Sequence, residues 1–435
     1  MTTEELEKLI TAHRPLSTRY YDQKSYKIGV NAGIFQETPK LAPDNRIPVP
    51  FIWRAIKLMK GFFATVGKIT YSDETKWFET NLAPIYDTNN EELQTAAQFE
   101  SGLAYSRGFE LHWYDGDFRF AKVPIDQCIP VYSDDLVPEM TSFVWYRLSG
   151  DDALATEYTA TDYTEYRKPK NEGNWVQGET KIHLYQRVPI VEFIIDSEKR
   201  NAVDQVLPLV DFYDKMISEV GNEHEKFANS ILLLRNTLDA VTQDENGLTD
   251  ADKVAMWRVL DRLGENVKDS AAYLERNVKT EFISMTLDII DRKISEFLML
   301  PGEHEDKMTA QSAKAMLIRF HYLELLMADY EAYFSIGLQD RIKLIAGHKL
   351  SGMSADGTNG VTIKFARNYP MDLEALVDFA TKLTGILSRE TLLKQFPSTI
   401  VDDVTKEMAR IENEAPQLQM PPSGNVPPVM DNAKP

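Results

Sequence analysis

The residues of this sequence that could do chemistry are few and scattered. Glu303, His304, Glu305 and Asp306 place four potential metal ligands in a row. Adjacent residues on a loop cannot easily converge on one ion, and no second His-rich segment is present, so a solvated acidic loop is favoured. His224 stands in a stripe of apolar residues at helical spacing, which favours a packed or interface histidine over a general base.

Residues 61–68 are superficially similar to a phosphate-binding loop. Five residues separate Gly61 from Gly67 where the motif has four, and Ile69 occupies the place of the Ser or Thr that would bind magnesium. The sequence contains neither a Gly-x-Ser-x-Gly elbow nor a His-Glu-x-x-His helix. We therefore predict a protein that is not an enzyme and that binds no cofactor and no metal.

The cysteine content and the start of the chain indicate the compartment. A single cysteine, Cys128, excludes an intrachain disulfide framework, and its apolar surroundings predict a buried thiol. The acidic start Met-Thr-Thr-Glu-Glu-Leu lacks the basic-then-apolar order of a signal peptide. No apolar run approaches the roughly 20 residues that cross a bilayer. We expect a cytosol-like compartment and no membrane partner.

The bulk composition is that of a folded protein with an acidic surface. The 435 residues are 43% hydrophobic and 26% charged, which predicts two or three folded domains. Acidic residues outnumber basic ones by 67 to 48, giving a formal net charge of −19. Tight binding of nucleic acid over a surface relies on Lys and Arg, so this balance argues against it. An acidic protein could still surround DNA if its role is to repel it.

Patterns along the chain predict a mixture of helices and strands. Thr2 and Glu5 have the spacing of a capping box, and the helix that they begin should stop near Pro15. Aromatic and β-branched segments separated by turns predict an antiparallel meander over 105–195. The remaining expectations are helices over 51–65, 90–104 and most of 204–348, a break around 236–250, a strand over 361–366, and a disordered tail over 415–435.

Two long helices carry the most information. The first has one apolar stripe at 3.5-residue spacing, made of Val206, Val210, Tyr213, Ile217, Val220, His224, Phe227, Ile231 and Leu234. The second stripe consists of Ile283, Leu287, Ile290, Ile294 and Phe297. Acidic residues lie off both stripes, a pattern that would suit the wall of a negatively charged channel. Simple solvation of the charged faces, or packing in an ordinary helical bundle, fits the periodicity equally well.

Several motifs occur in the order found in one protein family. The run 210–227 carries Asp211, Tyr213, Ser218 and Asn222-Glu223 before an apolar, Leu-rich end. This run resembles the long helix of portal proteins from siphophages of Gram-positive hosts. Further similar segments are Tyr26-Lys-Ile-Gly, Asp44-Asn-Arg-Ile, the Gly102-x-Ala-Tyr passage, Val123-Pro-Ile, Ile129-Pro-Val-Tyr-Ser-Asp, the strand and Arg-Asn-x-Pro element at 361–370, and the signature at 392–403. The likeness covers about three-quarters of the chain.

The resemblance implies an α+β portal fold with an α/β wing, a two-helix stem, a small α/β clip between the stem helices, and a short helical crown. It implies the following segments: wing 1–200, stem helix 201–232, clip 233–276, stem helix 277–300, tunnel loop 301–308, long wing helix 309–348, wing strand region 349–370, crown 371–413 and disordered tail 414–435.

The resemblance also implies roles for particular residues. The channel-lining candidates are Asp211, Asp214, Glu225, Glu281, Asp288 and Asp291. The tunnel-loop candidates are Glu303, His304, Glu305, Asp306 and Lys307, and those for the clip interface are Asp252, Trp257, Arg258 and Arg262.

The implied assembly is a dodecameric ring of identical subunits at one capsid vertex of the virion, built in the host cytoplasm. Its implied partners are the terminase large subunit, a head-completion or adaptor protein, the major capsid protein and scaffold, and double-stranded DNA that passes through without sequence-specific binding. The alternatives are another virion structural protein of the tail or baseplate, or a hydrolase or transferase with a helical cap.

Overall fold

The computed structural model describes residues 1–36, 43–63, 69–170, 173–200, 202–228, 232–234, 271–273, 280–301, 313–367, 381–382, 387–393, 401 and 404–414. The fold is mixed α and β, as predicted. The chain divides into two units, one made of residues 1–306 and 318–368 and the other of residues 307–317 and 369–435. The expected break at 236–250 and the expected tail at 415–435 lie outside the described residues.

Among the described residues, helices come first in the chain and predominate after residue 201. Their bounds are α1 Thr3–Lys27, α2 Ala32–Gln36, α3 Phe51–Phe63, α4 Trp77–Asn81, α5 Ala83–Asn89, α6 Glu91–Tyr105, α7 Ala202–Ala228, α8 Thr280–Phe297, α9 Ala313–Ala346, α10 Ala355–Thr358, α11 Arg389–Leu393 and α12 Val404–Glu414. The predictions of helices over 51–65 and 90–104 are confirmed.

The capping box at the start of α1 is confirmed, but the predicted end at Pro15 is wrong. The backbone N–H of Glu5 donates to Thr2 Oγ1 at 3.2 Å, and the backbone N–H of Thr2 donates to Glu5 Oε2 at 2.8 Å. The helix continues through Pro15 to Lys27. Proline removes one backbone donor to the carbonyl of Thr11. Both residues are exposed, so water can satisfy that carbonyl while the other side of the helix stays packed.

Within the described residues the strands are antiparallel and form four sheets. Their bounds are β1 Ile69–Ser72, β2 Arg107–Tyr114, β3 Phe118–Val123, β4 Cys128–Tyr132, β5 Met140–Ser149, β6 Asp152–Tyr158, β7 Asp162–Lys168, β8 Val176–Ile182, β9 Ile190–Ile194, β10 Leu232–Leu234, β11 Ala271–Tyr273 and β12 Thr362–Phe365. The sheet orders are β3-β2-β9, β4-β5-β6-β7-β8, β1-β12 and β10-β11. The predicted antiparallel strands over 105–195 are confirmed, but they split into two sheets because β9 returns to pair with β2.

Among the residues that the structure describes, two clusters of buried side chains pack these layers together. Alternate residues of the five-stranded sheet pack on α1, in a cluster of Leu6, Ile10, Ile129, Val144, Ala155, Tyr166 and Trp175. A second cluster joins α4, α5 and β3 to the C-terminal part of α9, through Phe78, Leu82, Tyr86, Phe120, Ile342, Ile345 and Val361. Side chains alternate between the two faces of a strand and recur about every 3.6 residues on one face of a helix. Each element can therefore place one apolar face in the core.

Candidate functional site

Helices α7 and α8, the pair predicted to carry an acidic face, pack against each other. On α8 the buried side chains are Ile290, Ile294 and Leu298, the last lying just beyond the helix. Ile290 and Ile294 confirm the predicted stripe. Phe297 was predicted to continue the stripe, but it is 54% exposed. Leu298, four residues after Ile294, is buried in place of Phe297. The N–H of Leu298 donates to the carbonyl of Ile294 at 3.0 Å, so the helical turn continues to Leu298 and places its side chain above Ile294.

Helix α7 buries the first two residues of the predicted stripe, Val206 and Val210, and then a line that departs from the stripe. From Val206 onward its buried positions recur every four residues, and the second half of the line is polar: Val206, Val210, Asp214, Ser218 and Asn222. The predicted stripe residues Tyr213, Ile217 and Val220 are half-buried, and His224 is exposed, so a packed His224 is not found within this chain.

An extended segment, residues 45–49, explains why polar residues of α7 are buried. The N–H of Asn45 donates to Asn222 Oδ1 at 2.6 Å, and the N–H of Ile47 donates to Ser218 Oγ at 2.9 Å. The third bond of the series runs from the N–H of Val49 to Asp214 Oδ1, at 2.8 Å. We call residues 45–49 the strap.

The strap bonds match because two periodicities coincide. Two residues of extended chain advance about 6.6 Å, and four residues of α-helix advance about 6.0 Å. Alternate N–H groups of the strap therefore meet every fourth side chain of α7. The Ser218 hydroxyl accepts from the strap and donates to the carbonyl of Asp214 at 2.6 Å. The polar line on α7 thus replaces a partner strand for the strap, whose N–H groups would otherwise be unpaired.

The carboxylate of Asp214 sits at the centre of this arrangement. Besides the strap N–H it accepts a bond from Asn31 Nδ2 at 2.6 Å. Burial raises the pKa of Asp214 to about 6, and the hydrogen bonds from Asn31 and Val49 offset only part of that effect. A carboxylate buried in this way cannot face a channel. The prediction that Asp214 lines a channel is therefore wrong, because the strap covers it.

Asp211, one turn before Asp214, is tied to the N-terminal helices. The hydroxyl of Tyr26 donates to Asp211 Oδ1, and the N–H of Gly33 donates to the Tyr26 hydroxyl at 3.2 Å. A Cβ at position 33 would lie 2.4 Å from Asp211 Oδ1 and 2.5 Å from the Tyr26 hydroxyl. Any larger residue at position 33 would therefore displace the hydrogen-bonded pair of Tyr26 and Asp211. Burial, together with the bond to Asp211, raises the pKa of Tyr26.

The other predicted channel residues lie on accessible parts of the helix pair. Glu225, Glu281 and Asp288 are exposed, and Asp291 is half-buried. Glu225 Oε2 accepts a bond from Asn45 Nδ2 at 2.8 Å. Burial raises the pKa of Tyr213, and the negative charges of Asp291 and Asp288 add to that shift, which places both aspartates near the seam between α7 and α8. The tunnel-loop candidates 303–307 and the clip candidates Asp252, Trp257, Arg258 and Arg262 lie outside the described residues.

Sequence reasoning missed a buried ionic cluster around Arg341 of α9. Its guanidinium donates two bonds to Glu110, from Nε at 2.8 Å and from Nη2 at 2.7 Å, and one from Nη1 to Glu91 at 2.7 Å. His112 Nε2 lies 2.9 Å from Glu110 Oε1. Burial by itself would raise the pKa of Glu110, but Arg341 and His112 more than offset it and lower the pKa to about 2. The available signal was Glu110, a charged residue between the apolar residues Phe109 and Leu111 of β2. Arg341 follows Gln339 and Asp340, so its own neighbours in the sequence gave no such signal.

Two remaining sequence predictions concern reactivity and membranes. Cys128 is buried, as predicted, and burial raises the pKa of its thiol, so it acts as a small apolar side chain. Within the described ranges, no helix is both long and apolar enough to span a membrane.

Comparison with known proteins identifies the family of this chain. The family described as "Phage portal protein, SPP1 Gp6-like" matches residues 15–419. The portal protein of Clostridium phage phiCD119 is 22% identical over 455 residues, which cover 96% of this chain and 97% of that protein.

Two solved structures are also similar. The neck of an empty GTA particle matches with a TM-score of 0.45 and 13% identity, over 79% of this chain and 88% of that one. An HK97 family phage portal protein from Corynebacterium diphtheriae matches with a TM-score of 0.35 and 13% identity, over 76% and 94%. Because the family match spans nearly the whole sequence, this chain belongs to the SPP1 Gp6-like family of phage portal proteins.

Proposed function

We propose that this chain forms a ring at one vertex of a phage capsid, and that double-stranded DNA enters and leaves the capsid through the ring. The observation that carries the proposal is the portal family match over residues 15–419. The family is one of structural proteins, so the energy for DNA movement would come from a separate terminase. The ring would also be the docking site for the terminase large subunit, a head-completion or adaptor protein, and the major capsid protein with its scaffold.

The apolar surface of α8 supports assembly from identical subunits. Phe282, Met285 and Ile289 are exposed at positions i, i+3 and i+7, so they share a face of the helix apart from the buried residues Ile290 and Ile294. Such a stripe on a soluble protein indicates a contact with another chain. A ring of twelve copies would cover it on every subunit. Mass photometry of the purified protein at micromolar concentration should therefore show a closed oligomer, and a monomer alone would contradict the proposal.

We propose that the α7–α8 pair is the stem and that its exposed carboxylates face the DNA. Glu281 and Asp288 are the best placed, with Asp291 and Glu225 beside them, and ring symmetry would repeat each one around the channel. Like-charge repulsion would keep DNA from binding while it slides, whereas a basic lining would bind it through counterion release.

A charge reversal tests the channel wall. Asp288→Lys with Asp291→Lys should leave rings intact, slow DNA packaging or ejection, and recover partly with added salt. Glu179→Lys on β8, also an exposed acidic side chain, is the matched control and should change nothing. Intact rings with unchanged DNA movement at low salt would show that this face does not line the channel.

The proposed clip and tunnel loop carry the remaining roles. We assign residues 233–276 to contact with terminase and adaptor, and residues 301–308 to the channel. Asp252→Lys should impair packaging or tail joining while rings still form. Normal packaging and joining across a panel of charge reversals in 233–276 would contradict the assignment of this segment to those contacts.

A further inference from the structure

Three lysines share one carboxylate on the surface of this acidic protein. Lys60 Nζ lies 2.5 Å from Glu100 Oε2, and the Nζ atoms of Lys27 and Lys57 lie 3.2 Å and 3.6 Å from Glu100 Oε1. Two positive charges are therefore in excess at this place. Burial by itself would raise the pKa of Glu100, but Lys60 and Lys27 lower it to about 2, so the carboxylate stays ionised.

A fourth lysine extends the same positive field inward. Lys122 is largely enclosed, and its Nζ donates to the carbonyl of Ala97 at 3.0 Å. Burial lowers the pKa of Lys122 to about 8, and the charges of Lys27 and Lys60 lower it further than Glu100 raises it. An additional anion at this place would stabilise the whole group.

An exposed indole lies beside these lysines. Trp53, Lys57 and Lys60 occupy positions i, i+4 and i+7 of α3, which share one face of the helix. Trp53 is 44% exposed and Lys57 is 47% exposed. We call Lys27, Trp53, Lys57 and Lys60 the lysine patch. Tryptophan is among the residue types most enriched in interface hot spots.

The loop between β4 and β5 has the complementary composition. Asp134, Asp135 and Glu139 carry three negative charges, and they form no ion pair within the part of the chain that the structure describes. Leu136 and Val137 project between them, with Leu136 101% exposed. The loop is closed by bonds from the N–H of Ser133 to the carbonyl of Glu139 at 2.8 Å and from the N–H of Glu139 to Ser133 Oγ at 3.1 Å. We call residues 134–139 the acidic loop.

We propose that the lysine patch of one subunit binds the acidic loop of the next copy of the same chain. The proposal rests on the ring described under Proposed function and names one of its interfaces. Leu136 and Val137 would cover Trp53, while the carboxylates of the loop would offset the excess charge of Lys57 and Lys60. Each copy has a charge of −19, so bare subunits repel one another unless opposite charges meet at the contact.

The lysine patch and the acidic loop differ in charge and in sequence, and this difference decides the symmetry of the contact between subunits. A contact between patch and loop is head-to-tail, so each subunit gives one surface and receives the other. Contacts of this kind generate rings when the rotation closes. A face-to-face dimer would instead require one surface to complement itself, which the lysine patch does not do.

A charge swap tests the contact in the full-length protein. Lys57→Glu, and separately Asp134→Lys with Asp135→Lys, should each weaken ring assembly at least tenfold, as measured by mass photometry over a concentration series. The variant that carries all three changes should recover most of the loss, because opposite charges meet again. Lys170→Glu, another exposed lysine, is the control and should assemble like the wild type.

The outcomes separate this contact from the ring itself. The proposed contact would be overturned if rings formed equally well in every variant. It would also be overturned if assembly of the combined variant were weakened by the sum of the two separate losses. Either result would leave the proposed ring itself standing. The loop variants change only exposed side chains, so a loss of folding in Lys57→Glu would not obscure the result. A wild-type protein that forms no ring at all would overturn the proposed function, and the contact with it.

Discussion

Replacing Arg341 by methionine tests how the long helix α9 is fixed to the rest of the fold. The side chain is 0% exposed, and it holds two carboxylates from separate elements, Glu91 of α6 and Glu110 of β2. Methionine keeps much of the volume but removes the charge. Both carboxylates would then remain buried beside one another without the guanidinium that neutralises them.

The expected loss follows from this imbalance. Removing one partner of a buried ion pair costs about 3–5 kcal/mol, because the remaining charge is uncompensated. The loss should depend on pH. Without Arg341 burial should dominate, so that the pKa of Glu110 rises above its usual range and the group takes up a proton in the folded state. The free energy of unfolding of the variant should therefore fall as the pH rises from about 4 to 7. In the wild type, where the pKa of Glu110 is about 2, this group contributes stability over the same range.

Denaturant unfolding at pH 4.5 and pH 7, followed by tryptophan fluorescence, measures the effect. Arg187→Met is the control, since Arg187 is partly exposed and lies 3.8 Å from Asp340. Its loss should stay below about 1 kcal/mol at both pH values. A loss below about 1 kcal/mol for Arg341→Met at pH 7, with no pH dependence, would refute the reasoning.

Two further predictions concern the strap. The folded-state pKa of Asp214 is about 6, so this group makes the free energy of unfolding of the wild type fall as the pH rises from about 4 to 6. Asp214→Asn removes the group, and the free energy of unfolding of the variant should therefore depend less on pH in this window. Equal pH profiles from denaturant titrations would contradict this. Ser218→Ala should cost about 0.5–1.5 kcal/mol, because the part-buried N–H of Ile47 loses its acceptor, and faster hydrogen exchange of that amide would report the same loss.

The sequence predicted elements whose information is local. Thr2 and Glu5 of the capping box are three positions apart in the chain, and the box occurs as expected. The strap was not predictable in this way, because periodicity assigns a polar residue such as Ser218 to solvent, while its partner Ile47 lies 171 residues away in the chain. Arg341 and Glu110 are separated by 231 residues, so their pairing is likewise a property of the tertiary fold.

Contacts between segments distant in the chain also explain why the predictions of exposed acidic residues succeeded on α8 and failed at Asp214. Helix periodicity correctly separated the apolar side of α8 from Asp288, since both signals lie within one helix. It failed for Asp214, because the segment that covers this carboxylate comes from the N-terminal part of the chain. Resemblance to portal proteins supplied the family, which composition and spacing alone did not.

Electron microscopy of the purified full-length protein tests the central claim most directly. The account predicts closed rings with a central channel wide enough for double-stranded DNA, and with α7 and α8 arranged around that channel. Rings in which these two helices lie at the outer rim would contradict the proposed channel wall. Particles without any central channel would contradict the portal function itself.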